Sequence, residues 1–154
     1  MPDKTQLFVR LDQTRAETNT LLTQCDPDAV IYAGWTIKDI IGHLSAWEQA
    51  GVTSLQAHAE GGEAHLPTHL SEDDYNQLNV ARRKNFPFEK IHLEWTETRD
   101  WLRQVLEEMS DEQFESEMTY PWGVRGSVTG LIDEIIQHEI EHRSDIINYQ
   151  EQQQ

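Results

Sequence analysis

Residues 128–149 read VTGLIDEIIQHEIEHRSDIINY. Val128, Leu131, Ile132, Ile135, Ile136, Ile146 and Tyr149 recur at helical spacing and draw one apolar stripe along a long helix, with Ser127 or Thr129 at its N-cap. Set within the pattern is His138-Glu139-Ile140-Glu141-His142. Side chains four apart on a helix lie about one turn from each other and project from the same side. The pair is therefore either a chelating arm for a divalent ion or two solvated histidines on an acidic helix. With Glu139 it also spells H-E-x-x-H.

Three further segments carry the same period. Asp3 with Gln6 opens the first, where Leu7, Leu11, Thr14, Thr18, Leu21 and Cys25 share a face until Pro27 forces the chain out of the helix. Thr36 with Asp39 makes a capping-box start for the second, with Ile37, Ile40, Ile41, Leu44 and Leu55 as its stripe and Gly61-Gly62 as its stop. The third, from Phe88 behind Pro87, has the cleanest repeat: Ile91, Trp95, Thr98, Leu102, Val105, Leu106 and Met109. Ser110 to Phe114 ends it. A shorter helical piece from Ser71 and Asp74 to Lys84 lies in the long link between the second and third helices. No run has period two and no segment repeats. These patterns predict an all-α chain: one domain over residues 1–154, an antiparallel four-helix bundle with a long, partly helical crossover between its second and third helices.

Composition narrows the partners. Twelve Lys and Arg against 28 Asp and Glu leave a formal charge of −16, which repels nucleic acid and anionic membrane surfaces. The single cysteine, Cys25, excludes an intramolecular disulfide and a cysteine-based zinc cluster. No basic leader with an apolar run and no membrane-spanning stretch is visible, so a cytoplasmic protein without membrane contact is expected.

With Ile135 as the zero of the last helix, His142 falls about 20° to one side, His138 about 60° to the same side, and Glu139 about 40° to the other. Both histidines point inward along one margin of the stripe. His43 sits at the edge of the second helix's stripe, where it is either a partly buried structural residue or the third ligand, since facing helices supply ligands in bundle cores. His58, His65 and His69 share no helical register and are expected in solvent. Glu48 falls inside the apolar face near Leu44 and Leu55, where a carboxylate needs a partner or a cation. The alternative for Glu139 is an ion pair with Arg143 one turn on. A peptidase built on H-E-x-x-H fails for want of a third ligand, because only Asp145 and Glu151 follow His142 as acidic groups and no histidine does.

Trp35-Thr36-Ile37-Lys38-Asp39-Ile40-Ile41-Gly42-His43-Leu44 with Trp47-Glu48, followed by His138-x-x-x-His142-Arg143, resembles the two signatures of the DinB/YfiT-like superfamily. Asp74-Tyr75-Asn76 and the Glu-His-Arg near the end resemble its DfsB-like branch. The resemblance covers nearly the whole chain. It implies a four-helix bundle, often a homodimer, with nickel, zinc or a similar ion on His43, His138 and His142. It also implies a small-molecule substrate and, in some relatives, a low-molecular-weight thiol cofactor such as mycothiol or bacillithiol. The expected activity is that of a metal-dependent enzyme, a thiol-dependent transferase or a hydrolase. Glu48 and Glu139 are its candidate catalytic carboxylates, acting as bases or by orienting a ligand histidine. The other expectation is a stress protein that holds a small molecule in the same bundle without chemistry, suggested by Trp35, Trp47 and Trp122 near the site. Tyr120 and Trp122 are placed to cover a pocket mouth.

Overall fold

The computed structural model describes residues 3–153. Four long helices dominate it: α1 Lys4–Leu22, α2 Ile37–Ala59, α4 Phe88–Glu108 and α6 Val128–Gln152, with the shorter α3 Glu72–Arg83 and α5 Asp111–Glu115 between them. The caps act as their chemistry requires. Asp3 accepts from the Gln6 amide, Thr36 and Asp39 form a reciprocal capping box, Ser71 caps α3, and Ser127, not Thr129, caps α6. Ser110, which ends the third long helix in sequence, caps the short α5.

Two small antiparallel hairpins interrupt the helices: β1 Val30–Tyr32 with β2 Trp35–Thr36, and β3 Glu117–Thr119 with β4 Arg125–Ser127. Sequence periodicity does not reveal them, because strands of two or three residues are too short to show alternation. Each hairpin presents aromatic side chains beside a helix end. The second is clamped by Tyr120, whose hydroxyl donates to the Ser127 carbonyl at 2.7 Å. A Cβ on Gly126 or Gly130 would lie 2.5 or 2.4 Å from that hydroxyl, so only glycine lets the ring lie there.

The helices bury two apolar clusters. One gathers Leu7, Leu11, Leu55, Leu102, Leu106, Leu131 and Ile132. The other gathers Ile37, Ile40, Ile41, Ile91, Trp95 and Ile146. Along α1 and α6 the chain runs from the first cluster toward the second, and along α2 and α4 it runs back. Because α2 ends beside one cluster and α4 begins beside the other, residues 60–87 must traverse the bundle, and α3 within them packs on α2. Among the described residues no helix is long and apolar enough to cross a membrane.

Candidate metal centre

On all four long helices a charged residue stands where one apolar cluster gives way to the other: Arg15 on α1, Glu48 on α2, Arg99 on α4 and Glu139 on α6. Glu48 and Glu139 are only 3% and 2% exposed. Arg99 grips Glu48 with two bonds, Nε to Oε2 at 3.0 Å and Nη2 to Oε1 at 2.9 Å, and reaches Glu139 Oε1 at 3.1 Å. Arg15 donates to both carboxylates at 3.3 Å and lies over the Trp95 ring, 3.5 Å from its centroid. The remaining oxygen of Glu139 accepts from Thr18 Oγ1 at 2.7 Å. Burial pushes the Glu139 carboxyl up, but Arg15, Arg99 and the Thr18 hydroxyl outweigh it and hold it below its ordinary value. The quartet is neutral and its oxygens are satisfied. Arg143 instead pairs with Glu17 at 3.0 Å and donates to the Thr14 carbonyl.

Close to Glu48 and Glu139 on the same two helices the chemistry changes. His43, 5% exposed, projects from α2 toward His138 and His142 on α6. Its Nε2 lies 3.0 Å from His138 Nε2, which is 3.2 Å from His142 Nε2. One ligand atom from each of the three falls within 4.8 Å of the others. Imidazole nitrogens bound about 2.0–2.1 Å from one ion at tetrahedral or octahedral angles stand roughly 2.9–3.4 Å apart. The two separations to His138 Nε2 fall in that range, and the His43–His142 pair closes the triangle within 4.8 Å.

The protons of the cluster can be followed inward from β1. Tyr32 gives its single hydroxyl hydrogen to Asp145, three residues beyond His142 on α6. His142 Nδ1, 3.1 Å from the same oxygen, must then be the donor to it, which leaves His142 Nε2 facing inward as a lone pair. His138 Nε2 either donates to that lone pair, and has no hydrogen left for His43, or lacks a hydrogen and leaves the lone pair without a donor. At least one inward nitrogen is unmatched in each arrangement, and the buried His43 Nδ1 makes no hydrogen bond of good geometry, with the Asn76 side chain its one polar neighbour. This donor set fits a divalent cation, which turns facing lone pairs from a conflict into a coordination shell.

The imidazoles are also held neutral. Burial first, then repulsion from His138 and His142, pulls His43 down to about 3. Burial and His142 pull His138 down to about 4. Burial lowers His142 as well, against the opposing carboxylates of Asp145 and Glu141.

The triad opens into a cavity of about 740 Å³. Trp35 from the first hairpin packs on His43, ring centroids 4.9 Å apart. Trp47 and Tyr75 form an edge contact at 4.7 Å, and Trp122 extends the wall at 6.3 Å from Trp47. The Tyr75 hydroxyl donates to the Ala46 carbonyl, and Asn76 accepts from Trp47 Nε1 at 2.7 Å. Trp122 is fixed by its hairpin and by the Leu66 amide, which donates to the Pro121 carbonyl at 2.7 Å.

The structure thus brings His43, His138 and His142 together and sets Glu48 and Glu139 both on the cavity lining and in the ion-paired quartet. His65 also lines the cavity, its Nδ1 against the Leu66 carbonyl, whereas His58 contacts the Gln113 carbonyl and His69 is exposed. Of the two aromatics in the second hairpin's turn region, Trp122 lines the cavity and Tyr120 is buried. Sequence reading missed Tyr32, Asp145, Arg15 and Arg99. The arginines were visible in principle: each lies four residues beyond an apolar stripe residue, Leu11 or Trp95.

A sequence model described as DinB superfamily matches residues 10–146. The fold is similar to two crystal structures of a mycothiol-dependent maleylpyruvate isomerase. The first, of a histidine-to-alanine mutant, has a TM-score of 0.72 at 17% identity; the second has 0.70 at 19%. Each comparison covers 95% of this chain but 63% of the other, so the chain spans less than two thirds of the isomerase's length. At such identities the likeness is one of fold. Comparison with curated proteins returned no match.

Proposed function

The chain belongs to the DinB superfamily, and from that premise we propose a metal-dependent enzyme in which His43, His138 and His142 hold one divalent ion at the floor of a small-molecule cavity. The observation that carries this reading is the convergence of three imidazoles from two facing helices, with His138 Nε2 3.0 Å from His43 Nε2 and 3.2 Å from His142 Nε2 and all three ligand atoms within 4.8 Å of one another. Three nitrogen donors leave further coordination positions open, as catalytic sites do, and suit nickel or zinc. When bound, such an ion supplies the Lewis acidity that activates a water or a low-molecular-weight thiol as nucleophile.

The chain's own residues prepare the site. Burial keeps His43 and His138 unprotonated at neutral pH, so their lone pairs are available without expelling a proton. Tyr32, held by Asp145, fixes the His142 tautomer so that Nε2 faces the cavity. Glu48 and Glu139 are positioning residues in this reading: through Arg15 and Arg99 they hold α2 and α6 at the separation the triad needs. Trp35, Trp47 and Trp122 shape the space for an apolar substrate body. The reaction class is a thiol-dependent group transfer or a hydrolysis. Its thiol-dependent form is supported by likeness of fold to the mycothiol-dependent isomerase.

Elemental analysis of protein purified without a histidine tag tests the centre. One ion per chain is expected, falling to a trace in His43→Ala; stoichiometric metal that persists in the variant would overturn the three-ligand site. Turnover of an electrophile panel with low-molecular-weight thiols tests the chemistry. Metal without any thiol-dependent turnover or hydrolysis would favour the second reading, a protein that binds a small molecule without transforming it, which the aromatic cavity wall also suits.

A further inference from the structure

Among the described residues, the cavity is lined by acidic side chains and no lysine or arginine. Glu48 and Glu139 are neutralised within their quartet. Glu72, Glu134 and Glu141 also line the cavity, and all three are exposed and make no ion pair among the described residues. The same cavity has an aromatic wall. Trp47, Tyr75 and Trp122 meet edge to face at interplanar angles of 62° to 64°, so they form an angled wall instead of a closed stack. Trp122 keeps 46% of its surface open.

We propose that the outer part of this cavity is a subsite for the cationic portion of an amine or quaternary ammonium substrate, whose other end reaches toward the histidines. The inference deepens the metal-site reading by naming the substrate class of the same cavity, yet it rests on different residues. A cation desolvated against tryptophan faces is favoured by the ring quadrupole, and unpaired carboxylates at the rim raise its local concentration. An anionic group in the same place meets the acidic rim with no guanidinium or ammonium to receive it. The net charge of −16 acts in the same direction at longer range.

Binding to metal-free and zinc-loaded protein, read by calorimetry, tests the assignment. The probes are benzyltrimethylammonium, its uncharged isostere neopentylbenzene, and phenylacetate. In the metal-free protein the cation is expected to bind saturably and about tenfold or more tighter than the isostere, with no measurable binding of phenylacetate. Trp122→Ala, at a half-exposed position, is expected to weaken the cation about three- to tenfold without moving the thermal midpoint. The double variant Glu134→Gln, Glu141→Gln is expected to weaken it further and flatten its dependence on salt. Equal affinity for cation and isostere, phenylacetate binding to the metal-free protein, or no effect of Trp122→Ala would each overturn the proposal. The zinc-loaded arm separates the two readings: a protein that holds no zinc but binds the cation retains the subsite and loses the metal centre.

Discussion

Glu139 and His138 are neighbours on one helix and both face inward, yet they belong to opposite kinds of polar burial. Glu139 enters a neutral quartet in which two guanidinium groups and a hydroxyl meet its oxygens. His138 enters a group of like rings whose inward nitrogens cannot all be paired, beside a His43 Nδ1 that makes no hydrogen bond of good geometry. Both clusters carry desolvation cost, and only one recovers it within the protein. The contrast teaches where to look for chemistry. A polar cluster that the fold satisfies is holding the fold, whereas several facing donors and acceptors that cannot all be paired beside a cavity point to a ligand from outside; a lone orphan such as Trp95 Nε1 points to nothing.

The largest effect should come from breaking the satisfied side. Glu139→Ala leaves two buried guanidinium groups short of an anion and is expected to cost about 3–5 kcal/mol in chemical denaturation, whereas His138→Ala leaves the metal-free protein as stable or more so. A Glu139→Ala protein unfolding alongside the parent would remove the distinction. A smaller effect sharpens the other side. Tyr32→Phe takes away the acceptor for His142 Nδ1–H and is expected to weaken metal binding about 10- to 100-fold with little change in metal-free stability. Unaltered affinity in a competition titration against a chelating dye would deny Tyr32 its role in fixing the tautomer.

A third effect is read by pH. His43 and His138 are lowered to about 3 and about 4 in the native protein, against about 6.5 in the unfolded chain. Below pH 6.5 the unfolded chain therefore takes up protons that the native state refuses. Stability of the metal-free protein should fall as pH drops from about 6.5 to about 4, by up to about 1.4 kcal/mol per pH unit for each group. Urea midpoints between pH 7.5 and 5, taken under chelation, measure this slope. It should flatten in the double variant His43→Ala, His138→Ala, and a flat profile in the parent would mean that the imidazoles are not desolvated.

The helices and their caps were legible in sequence because apolar residues that return every 3.6 positions over several turns line one side of a helix and of no other regular structure. Thr36, Ser71 and Asp3 announce where those helices start. The histidine pair was legible from its angles, His138 and His142 on one margin; His43, left open by its place at the edge of a stripe, was supplied as third ligand by the resemblance to the DinB/YfiT-like signatures. The partners of Glu48 and Glu139 were not, because a stripe read for apolar residues passes over Arg15 and Arg99, although both lie on it. The hairpins escaped because they contain too few residues for a period, and with them went Tyr32, whose meaning exists only beside His142. Contacts that link distant short segments leave no local mark on a sequence.

The quartet draws one residue from each of the four long helices, and this bears on how the chain finds its alignment. An α-helix advances about 5.4 Å per turn. Sliding any one helix by a turn past the others would keep most of its apolar surface covered, since leucine and isoleucine accept one another as neighbours. It would also carry a guanidinium or a carboxylate out of the layer and strand its partners in a dry interior. Misaligned packings are thereby penalised at a single level, as the pins of a lock reject all but one set of heights, and the correct setting is the one that brings His43 level with His138 and His142.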